Sequence, residues 1–261
     1  MSQTARSAAF QLRADAPRAT LAEERQHRKS RLAASYRIFA QKGYDHSLAG
    51  HITARDPEFP DRFWVAPIGP WFGHIKVSDL VLVDHAGNIL AGKGPINQAG
   101  FAIHSAIHRA RPDVVSAAHS HSIYGKAWSA LGRLLDPITQ DSCFFYERHA
   151  LFEDFSGVVL DTSEGDRIAA ALGDKRAVIL QNHGILTVGK SVEGAVANYV
   201  AFENACQTQL LAEAAGPVKR ISHEVAHYTA NQVFSNSDDP SAFGFRPLWE
   251  RVLREEPDFL E

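Results

Sequence analysis

The chain has 261 residues, with 27 lysines and arginines against 30 aspartates and glutamates, so its formal charge is −3 with the 13 histidines neutral. This length and a hydrophobic fraction of 45% are typical of a folded globular protein of one or two domains. The balanced charge gives no indication of a basic surface that would bind nucleic acid or anionic membranes. No apolar run approaches the roughly 18–20 residues that span a bilayer. The two cysteines exclude a disulfide framework and a cysteine-based zinc site. They indicate a reducing compartment, which we expect to be the cytoplasm.

The N-terminal half is predicted to mix helices with short strands. Residues 1–19 lack the apolar stretch of a signal peptide, and we expect a flexible tail rather than an organelle transit peptide. The spacing of Thr20 and Glu23 predicts a capping box at the start of a helix that Gly43 ends. The later elements of this half are strands at 51–54, 63–66, 80–84 and 89–90, a hairpin turn at 85–88, a helix at 98–110 and a strand at 114–118.

The C-terminal half continues the alternation. Its predicted elements are helices at 122–132, 163–172 and 191–215, strands at 177–180 and 185–188, a turn cluster at 235–240 and an amphipathic stretch at 247–253. Interspersed strands and helices favour one α/β domain with a mixed sheet over residues 20–217. Residues 218–261 are more polar and are treated as a C-terminal extension.

Three histidines follow two of the predicted strands. His119 and His121 come after the strand at 114–118, and residues two apart on an extended chain point to the same side. His183 follows the strand at 177–180, between an asparagine and a glycine. Three imidazoles that leave other coordination positions vacant are typical of a catalytic metal site. We therefore predict that these residues bind a metal.

Two further histidines, His104 and His108, are four residues apart on a predicted helix and so share one face. The pair lacks the glutamate of an H-E-x-x-H zinc motif. We therefore favour packing or hydrogen bonding behind the metal ligands over metal binding. His51 and His74, in glycine-containing loops, are weaker candidates for the site.

Six short motifs occur in the order and spacing found in one known family. They are Gly50–Arg55, Ala66–Gly69, Gly92–Pro95, His104–Asp113, His119–His121 and Gln181–Gly184. Over about residues 28–215 the chain therefore resembles the class II aldolase/adducin family. The resemblance implies a three-layer α/β/α domain and a homotetramer with active sites between subunits. It also implies that His119, His121 and His183 bind one divalent metal ion, which is zinc in the sugar-phosphate aldolases.

The sequence differs from those aldolases at the residues for proton transfer and at the residues for phosphate binding. Gln98 stands where they have a glutamate that transfers protons, and glutamine cannot exchange a proton at neutral pH. The loops that bind the substrate phosphate are also altered, because two hydroxyl side chains have become isoleucines. The positions that match the phosphate-binding residues are His51, Ile68, Ile96 and Asn97. A sugar-phosphate substrate is therefore not expected.

Aromatic clusters near the expected site suggest an apolar or aromatic substrate instead. These clusters are Phe63–Trp64, Trp71–Phe72 and Phe144–Tyr146, and part of them must belong to the core. We take Trp71 and Phe72 as candidate substrate contacts. Arg55 and Arg148 are candidates for a substrate carboxylate, although Arg148 could pair instead with a neighbouring glutamate.

Without the glutamate, proton transfer falls to Tyr124, Tyr146, His51 or a metal-bound water. The leading hypothesis is a metal-dependent carbon–carbon lyase, a retro-aldolase or decarboxylase of a hydroxy or keto acid, with Zn²⁺, Mn²⁺ or Fe²⁺ as cofactor. A close second is a non-haem iron oxygenase, because relatives in aminocoumarin biosynthesis resemble this chain and oxidatively shorten aromatic acids. The usual two-histidine, one-carboxylate iron signature is absent. The third hypothesis, a non-catalytic adducin-like assembly domain, is disfavoured because the three histidines are retained.

Overall fold

A mixed eight-stranded sheet lies at the centre of the chain, whose computed structural model describes residues 18–159, 162–234, 239 and 242–261. The strands are β1 Gly50–Arg55, β2 Arg62–Val65, β3 Val81–Asp84, β4 Ile89–Ala91, β5 Ser116–Ser120, β6 His149–Phe152, β7 Ala177–Leu180 and β8 Gly184–Gly189. Their spatial order is β4-β3-β2-β1-β5-β8-β7-β6. Neighbours are antiparallel except β6 and β7, which are parallel. The predicted mixed sheet is confirmed.

Seven α-helices flank the sheet within the described part of the chain. They are α1 Leu21–Gln41, α2 Gln98–Ala110, α3 Ile123–Ser129, α4 Thr162–Leu172, α5 Val192–Ala215, α6 His223–Phe234 and α7 Ala242–Glu255. The Thr20 capping box at the start of α1 is confirmed, since the Thr20 hydroxyl accepts from the Glu23 amide and the Glu23 carboxylate accepts from the Thr20 amide. None of the described helices has the length and hydropathy needed to cross a bilayer.

The two larger apolar cores, on opposite faces of the sheet, confirm the three-layer α/β/α arrangement. One contains Phe39 of α1, Ile52 of β1 and Phe202 of α5. The other contains Ile107 of α2 and Ile168 of α4. Because side chains alternate along a strand, β1 sends Ile52 into the first core and its neighbours towards α2. This alternation places the histidine-rich side of the sheet under α2.

The C-terminal segment packs on the first core of the same chain. Phe245 and Val252 of α7 and Phe259 beyond it are buried. Arg37 of α1 forms ion pairs with Glu256 at 3.2 Å and with Asp258 at 2.9 Å. The residues beyond 217 therefore contribute to the core of the domain.

The largest differences from the predicted elements are at β5, β6 and α6, and α3 ends at Ser129 instead of residue 132. β5 begins at Ser116 instead of Val114, because the Val114 amide bonds back to Arg111 in the preceding turn. β5 also continues to Ser120, beyond its predicted end at residue 118, so His119 lies inside the strand and not after it. β6 was not predicted, being a four-residue strand with one neighbour, and α6 was not predicted in the polar extension. The predicted tail up to residue 17 and all of the 235–240 turn cluster except residue 239 lie outside the described residues.

Candidate metal centre

The three predicted metal histidines converge at one end of the central strands. Their candidate ligand nitrogens lie within 4.8 Å of one another. The ring centroids are 4.8 Å apart for His119 and His183, 4.9 Å for His121 and His183, and 5.3 Å for His119 and His121. In the described part of the chain this is the one cluster of three such ligands. The sequence-based prediction that these residues come together is confirmed.

The turn between β7 and β8 positions His183. The His183 amide donates to the Leu180 carbonyl at 3.0 Å, which closes a tight turn. Asn182 has φ 58°, a left-handed conformation that asparagine tolerates better than most residues. A β-carbon on Gly184 would lie 3.2 Å from the Ser120 carbonyl oxygen, so glycine permits the close approach of β8 to β5. The Asn-His-Gly sequence is thus explained by the local geometry.

The pKa values of all three imidazoles are lowered, which favours the neutral form of each ring. The His119 Nδ1–H donates to the Ile185 carbonyl at 2.8 Å, which leaves Nε2 with its lone pair. Burial and the neighbouring His183 hold the pKa of His119 well below its usual value. Burial and then His121 lower the pKa of His183 to about 4. Neutral imidazole is the form that binds a metal ion, so the donor set fits a divalent cation.

A buried polar cluster supports the segment that carries His121. The Glu203 carboxylate accepts from the Ser122 hydroxyl at 2.6 Å and from the Tyr124 and Gly125 amides at 2.9 and 2.7 Å. The Tyr199 hydroxyl bonds to both flanking serines of this segment. Burial raises the pKa of Glu203. Sequence analysis missed both residues, because α5 carries other polar side chains and nothing in the sequence sets Tyr199 and Glu203 apart from them.

A cleft of about 600 Å³ opens over the three histidines. Its walls come from residues 46–51, the start of α2, the segment 155–159 and the two histidine segments. Lys126 lies in this wall. Burial, and then the charge of Lys126, lower the pKa of His121. Sequence analysis missed this lysine, whose position one turn into the helix after His121 could have indicated it.

A second, narrow cavity shares a wall with the cleft at His51. The four positions that match the aldolase phosphate contacts line this cavity, together with the predicted substrate contact Phe72. These four positions are His51, Ile68, Ile96 and Asn97. No lysine or arginine is among the described residues that line it. The cavity is therefore lined mainly by apolar side chains.

His104 and His108 lie behind the three predicted metal ligands and not among them. Both are buried, and both hydrogen-bond to the Thr53 hydroxyl, at 2.8 and 2.9 Å. His104 also bonds to His51 at 2.8 Å. The interpretation of this pair as hydrogen-bonding residues is confirmed by these contacts.

Arg55 is engaged with the backbone and does not line the cleft. Its guanidinium donates to the carbonyls of Val114 at 2.9 Å, His108 at 2.6 Å and Arg111 at 3.0 Å, and also to that of Pro60. These bonds join β1 to the end of α2. The structure thus gives Arg55 a scaffold role in place of the expected contact with a substrate carboxylate.

The remaining predicted residues lie outside the cleft lining. Tyr124 packs against the first core, Trp71 is half exposed and bonds to Asp45, and Gln98 is exposed at the first residue of α2. Tyr146 and Arg148 lie on another surface beside α6. There the Tyr146 hydroxyl contacts His223 at 3.1 Å. The structure therefore does not bring these five side chains to the three histidines within one chain.

Comparison with known proteins gives matches along most of the chain. Residues 30–210 match the sequence model of the family described as Class II Aldolase and Adducin N-terminal domain. A protein named decarboxylase NovR, from Streptomyces niveus, is 42% identical over 92% of this chain and 88% of its own length. A protein from Streptomyces roseochromogenus subsp. oscitans is also 42% identical, over 92% of this chain and 86% of its own length. It is named 4-hydroxy-3-prenylphenylpyruvate oxygenase/4-hydroxy-3-prenylbenzoate synthase.

A similar solved structure bears a different name. It is called L-fuculose 1-phosphate aldolase, from Glaciozyma antarctica PI12, and superposes with a TM-score of 0.88 at 42% identity. The match covers 95% of this chain and 97% of that one. These three proteins are thus equally similar to this chain in sequence identity but carry names from decarboxylase, oxygenase and aldolase chemistry.

Proposed function

Because the chain belongs to the class II aldolase/adducin family, we propose that it is a metal-dependent enzyme that cleaves a carbon–carbon bond of a non-phosphorylated hydroxy or keto acid. The substrate is aromatic or otherwise apolar. One observation carries this proposal: three neutral histidines face a cleft whose neighbouring cavity is apolar where aldolases of this family bind phosphate.

His119, His121 and His183 would hold the ion, because their nitrogens converge and their pKa values are lowered. When bound, a divalent cation would supply Lewis-acid polarisation of a substrate carbonyl or hydroxyl oxygen. The hydrogen bond from His119 to the Ile185 carbonyl keeps this ring in the tautomer and orientation that binding needs.

The cavity argues against a phosphorylated substrate. A phosphate dianion that enters an apolar space loses hydration, and this cost must be offset by cations or by several hydrogen-bond donors. The side chains of Ile68 and Ile96 cannot donate, and the lining provides no lysine or arginine among the described residues. The side-chain donors of Tyr36 and Asn97 are already bonded to backbone carbonyls. An apolar ring edge or alkyl group has no such hydration to lose when it enters the cavity. We therefore propose that the substrate of this chain differs from that of its relative named as a sugar-phosphate aldolase.

Two further side chains are proposed to act on the acid substrate. Lys126 lies in the cleft wall near His121 and can bind a carboxylate. His51 lies between the cleft and the cavity, and its Nε2 makes no hydrogen bond to the described residues. His51 Nε2 is therefore the proposed atom that exchanges a proton with the substrate. Gln98 and the two tyrosines do not line the cleft.

A second candidate function is oxidative cleavage of an aromatic keto acid by an iron-containing form of the enzyme. No aspartate or glutamate is among the described residues that line the cleft, so the carboxylate of an aldolase is missing. The relative named as an oxygenase supports this alternative. Three histidines alone do not select iron over zinc or manganese.

Turnover of an arylpyruvate and the matching arylglycolate by protein loaded with Zn²⁺, Mn²⁺ or Fe²⁺ tests the proposal. Formation of a product without oxygen, in which a proton has replaced the group that was cleaved from the substrate, would support the lyase function. Turnover that requires Fe²⁺ and consumes O₂ would instead establish the second candidate. Lys126→Met should raise KM for these acids, whereas Lys126→Arg should retain binding. Absence of any turnover with every metal would contradict both functions.

The proposal also includes assembly of the chain into a homotetramer. Exposed apolar side chains at the cleft mouth, Leu48 and Val158, and Ile123 at the start of α3 support burial against another subunit. Sedimentation velocity should give a mass about four times that of the chain. A monomer at micromolar concentration would contradict it.

A further inference from the structure

The short helix α3 takes its cap from a distant part of the chain. Ser122 is its N-cap, and a serine at this position ordinarily accepts from the second or third helical amide. The Ser122 hydroxyl makes no such bond and donates instead to the Glu203 carboxylate at 2.6 Å. The second and third helical amides, of Tyr124 and Gly125, donate to the same carboxylate at 2.9 and 2.7 Å. Glu203 of α5 therefore caps α3 from 81 residues beyond Ser122.

The residue between β5 and this cap is His121, and both of its neighbours bond to α5. The Tyr199 hydroxyl lies 2.8 Å from the hydroxyls of Ser120 and Ser122, and it donates to the Ser120 carbonyl at 3.0 Å. Tyr199 and Glu203 are four residues apart on α5 and so share one face of that helix. These two side chains and the two serines are at most 2% exposed. The backbone on either side of His121 is thus fixed by one buried face of α5.

The two backbone amides require a carboxylate and not an amide at this position. One oxygen of Glu203 accepts from Tyr124, and the other accepts from Gly125. A glutamine would place its NH₂ group at one of the two positions, where it would face a backbone N–H with no acceptor between them. Space is also limited, because a β-carbon on Gly125 would lie 2.8 Å from Glu203 Oε2. Glu203→Gln must therefore displace the first turn of α3 or leave a buried donor unpaired.

The other two candidate ligands are positioned without this cap. The His119 ring donates to the Ile185 carbonyl, and the turn that carries His183 is closed by its amide bond to the Leu180 carbonyl. A change at Glu203 should therefore act on the metal centre through His121.

We propose that Glu203 and Tyr199 are positioning residues that fix the direction of the His121 side chain at the metal centre. Both act through the segment from Ser120 to Gly125 and do not line the cleft. Residues that orient metal ligands typically change metal affinity by roughly 10- to 100-fold when they are replaced. The identity of the metal ligands rests on the proposed function, whereas the cap on α3 is a property of the protein without metal.

A double-mutant cycle tests the positioning role, with Zn²⁺ affinity measured by competition with a chromophoric chelator. Glu203→Gln should weaken Zn²⁺ binding by roughly 10- to 100-fold. In a His121→Ala protein the same change should weaken binding by less than about 3-fold, because the ligand that Glu203 positions is already absent. An equal loss with and without His121, or no loss at all, would overturn the proposal. Should Glu203→Gln fail to fold, Tyr199→Phe carries the same cycle with a smaller loss, since both backbone amides keep their acceptor.

Asp56→Asn is the matched control for the general effect of replacing a buried carboxylate. Asp56 is 1% exposed and also accepts from two backbone amides, of Glu58 and Phe59, and from the Trp64 indole. It follows β1 at the end opposite His51. This variant should lose stability but keep its Zn²⁺ affinity within about 2-fold of the wild type. An equal loss of affinity in Asp56→Asn and Glu203→Gln would overturn the positioning role.

Hydrogen–deuterium exchange of metal-free protein tests the cap independently of the metal. In Glu203→Gln the amides of Tyr124 and Gly125 should exchange at least about 10-fold faster than in the wild type, and in Asp56→Asn they should be unchanged. Unchanged exchange of these amides in Glu203→Gln would overturn the cap and with it the proposal. If no protein, including the wild type, binds Zn²⁺, the proposed metal centre fails, while the exchange result still decides whether Glu203 holds the segment of His121.

Discussion

Gly100→Ala is expected to destabilise the protein although alanine normally favours a helix. Gly100 is the third residue of α2 and faces the His51 ring. A β-carbon here would lie 2.3 Å from His51 Cδ2 and 2.7 Å from Nε2. Ordinary van der Waals contact begins at 3.4 Å, so the ring must retreat by about 1 Å. That movement breaks the 2.8 Å bond from His51 to His104.

The expected magnitude combines three opposing effects. The loss of a buried hydrogen bond costs about 1–3 kcal/mol, and overpacking costs about 1–3 kcal/mol more. Alanine in place of glycine returns about 1 kcal/mol to the helix. The free energy of unfolding should therefore fall by about 1–5 kcal/mol in urea denaturation followed by tryptophan fluorescence.

Gly244→Ala provides the matched control. Gly244 is also the third residue of its helix, α7, and the nearest atom to an added β-carbon would be Ala197 Cβ at 3.5 Å. This variant should be unchanged or more stable by up to about 1 kcal/mol. If Gly100→Ala is as stable as Gly244→Ala, the close packing of α2 on His51 is refuted.

Three other predictions concern the scaffold, the pH response and the substrate. Arg55→Lys should lower the free energy of unfolding by about 2–4 kcal/mol with metal content unchanged, since lysine cannot reach all four carbonyls; unchanged stability with weaker substrate binding would instead favour the carboxylate role. Burial lowers the pKa of His183 to about 4 in the folded protein against an ordinary value near 6.5, so metal-free protein should lose up to about 1.4 kcal/mol per pH unit as the pH falls from about 6.5 to about 4; a flat stability profile over that range would contradict this. Gln98→Glu should not give ketose 1-phosphate cleavage, because the phosphate contacts are also missing; robust cleavage would refute the apolar-site interpretation.

The convergence of the three histidines and the mixed α/β fold could be predicted because each depends on a local pattern, whereas the three-layer arrangement was implied by the family resemblance. His119 and His121 are two residues apart on one extended segment, and His183 follows a strand with turn residues on both sides. Helical periodicity placed α2 from Gln98 to Ala110, the bounds that the structure has. Backbone periodicity is sufficient for predictions of this kind.

The rest of the site depends on contacts between distant parts of the chain. His51 was a weak candidate from sequence, and its place is set by His104, which is 53 residues away. Glu203 supports the His121 segment from α5, about 80 residues later. Arg55 looked available to a substrate because the four carbonyls that engage it cannot be seen in a sequence. Such long-range pairings leave no periodic signal.

Metal analysis of the purified protein tests the central claim most directly. Mass spectrometry of wild-type protein should find about one divalent ion per chain, as a three-histidine site predicts. His183→Ala should lose that ion while circular dichroism shows an unchanged fold, because His183 lies in a surface turn between β7 and β8. A folded His183→Ala protein that keeps a full equivalent of metal would contradict the claim that these three histidines form the metal centre.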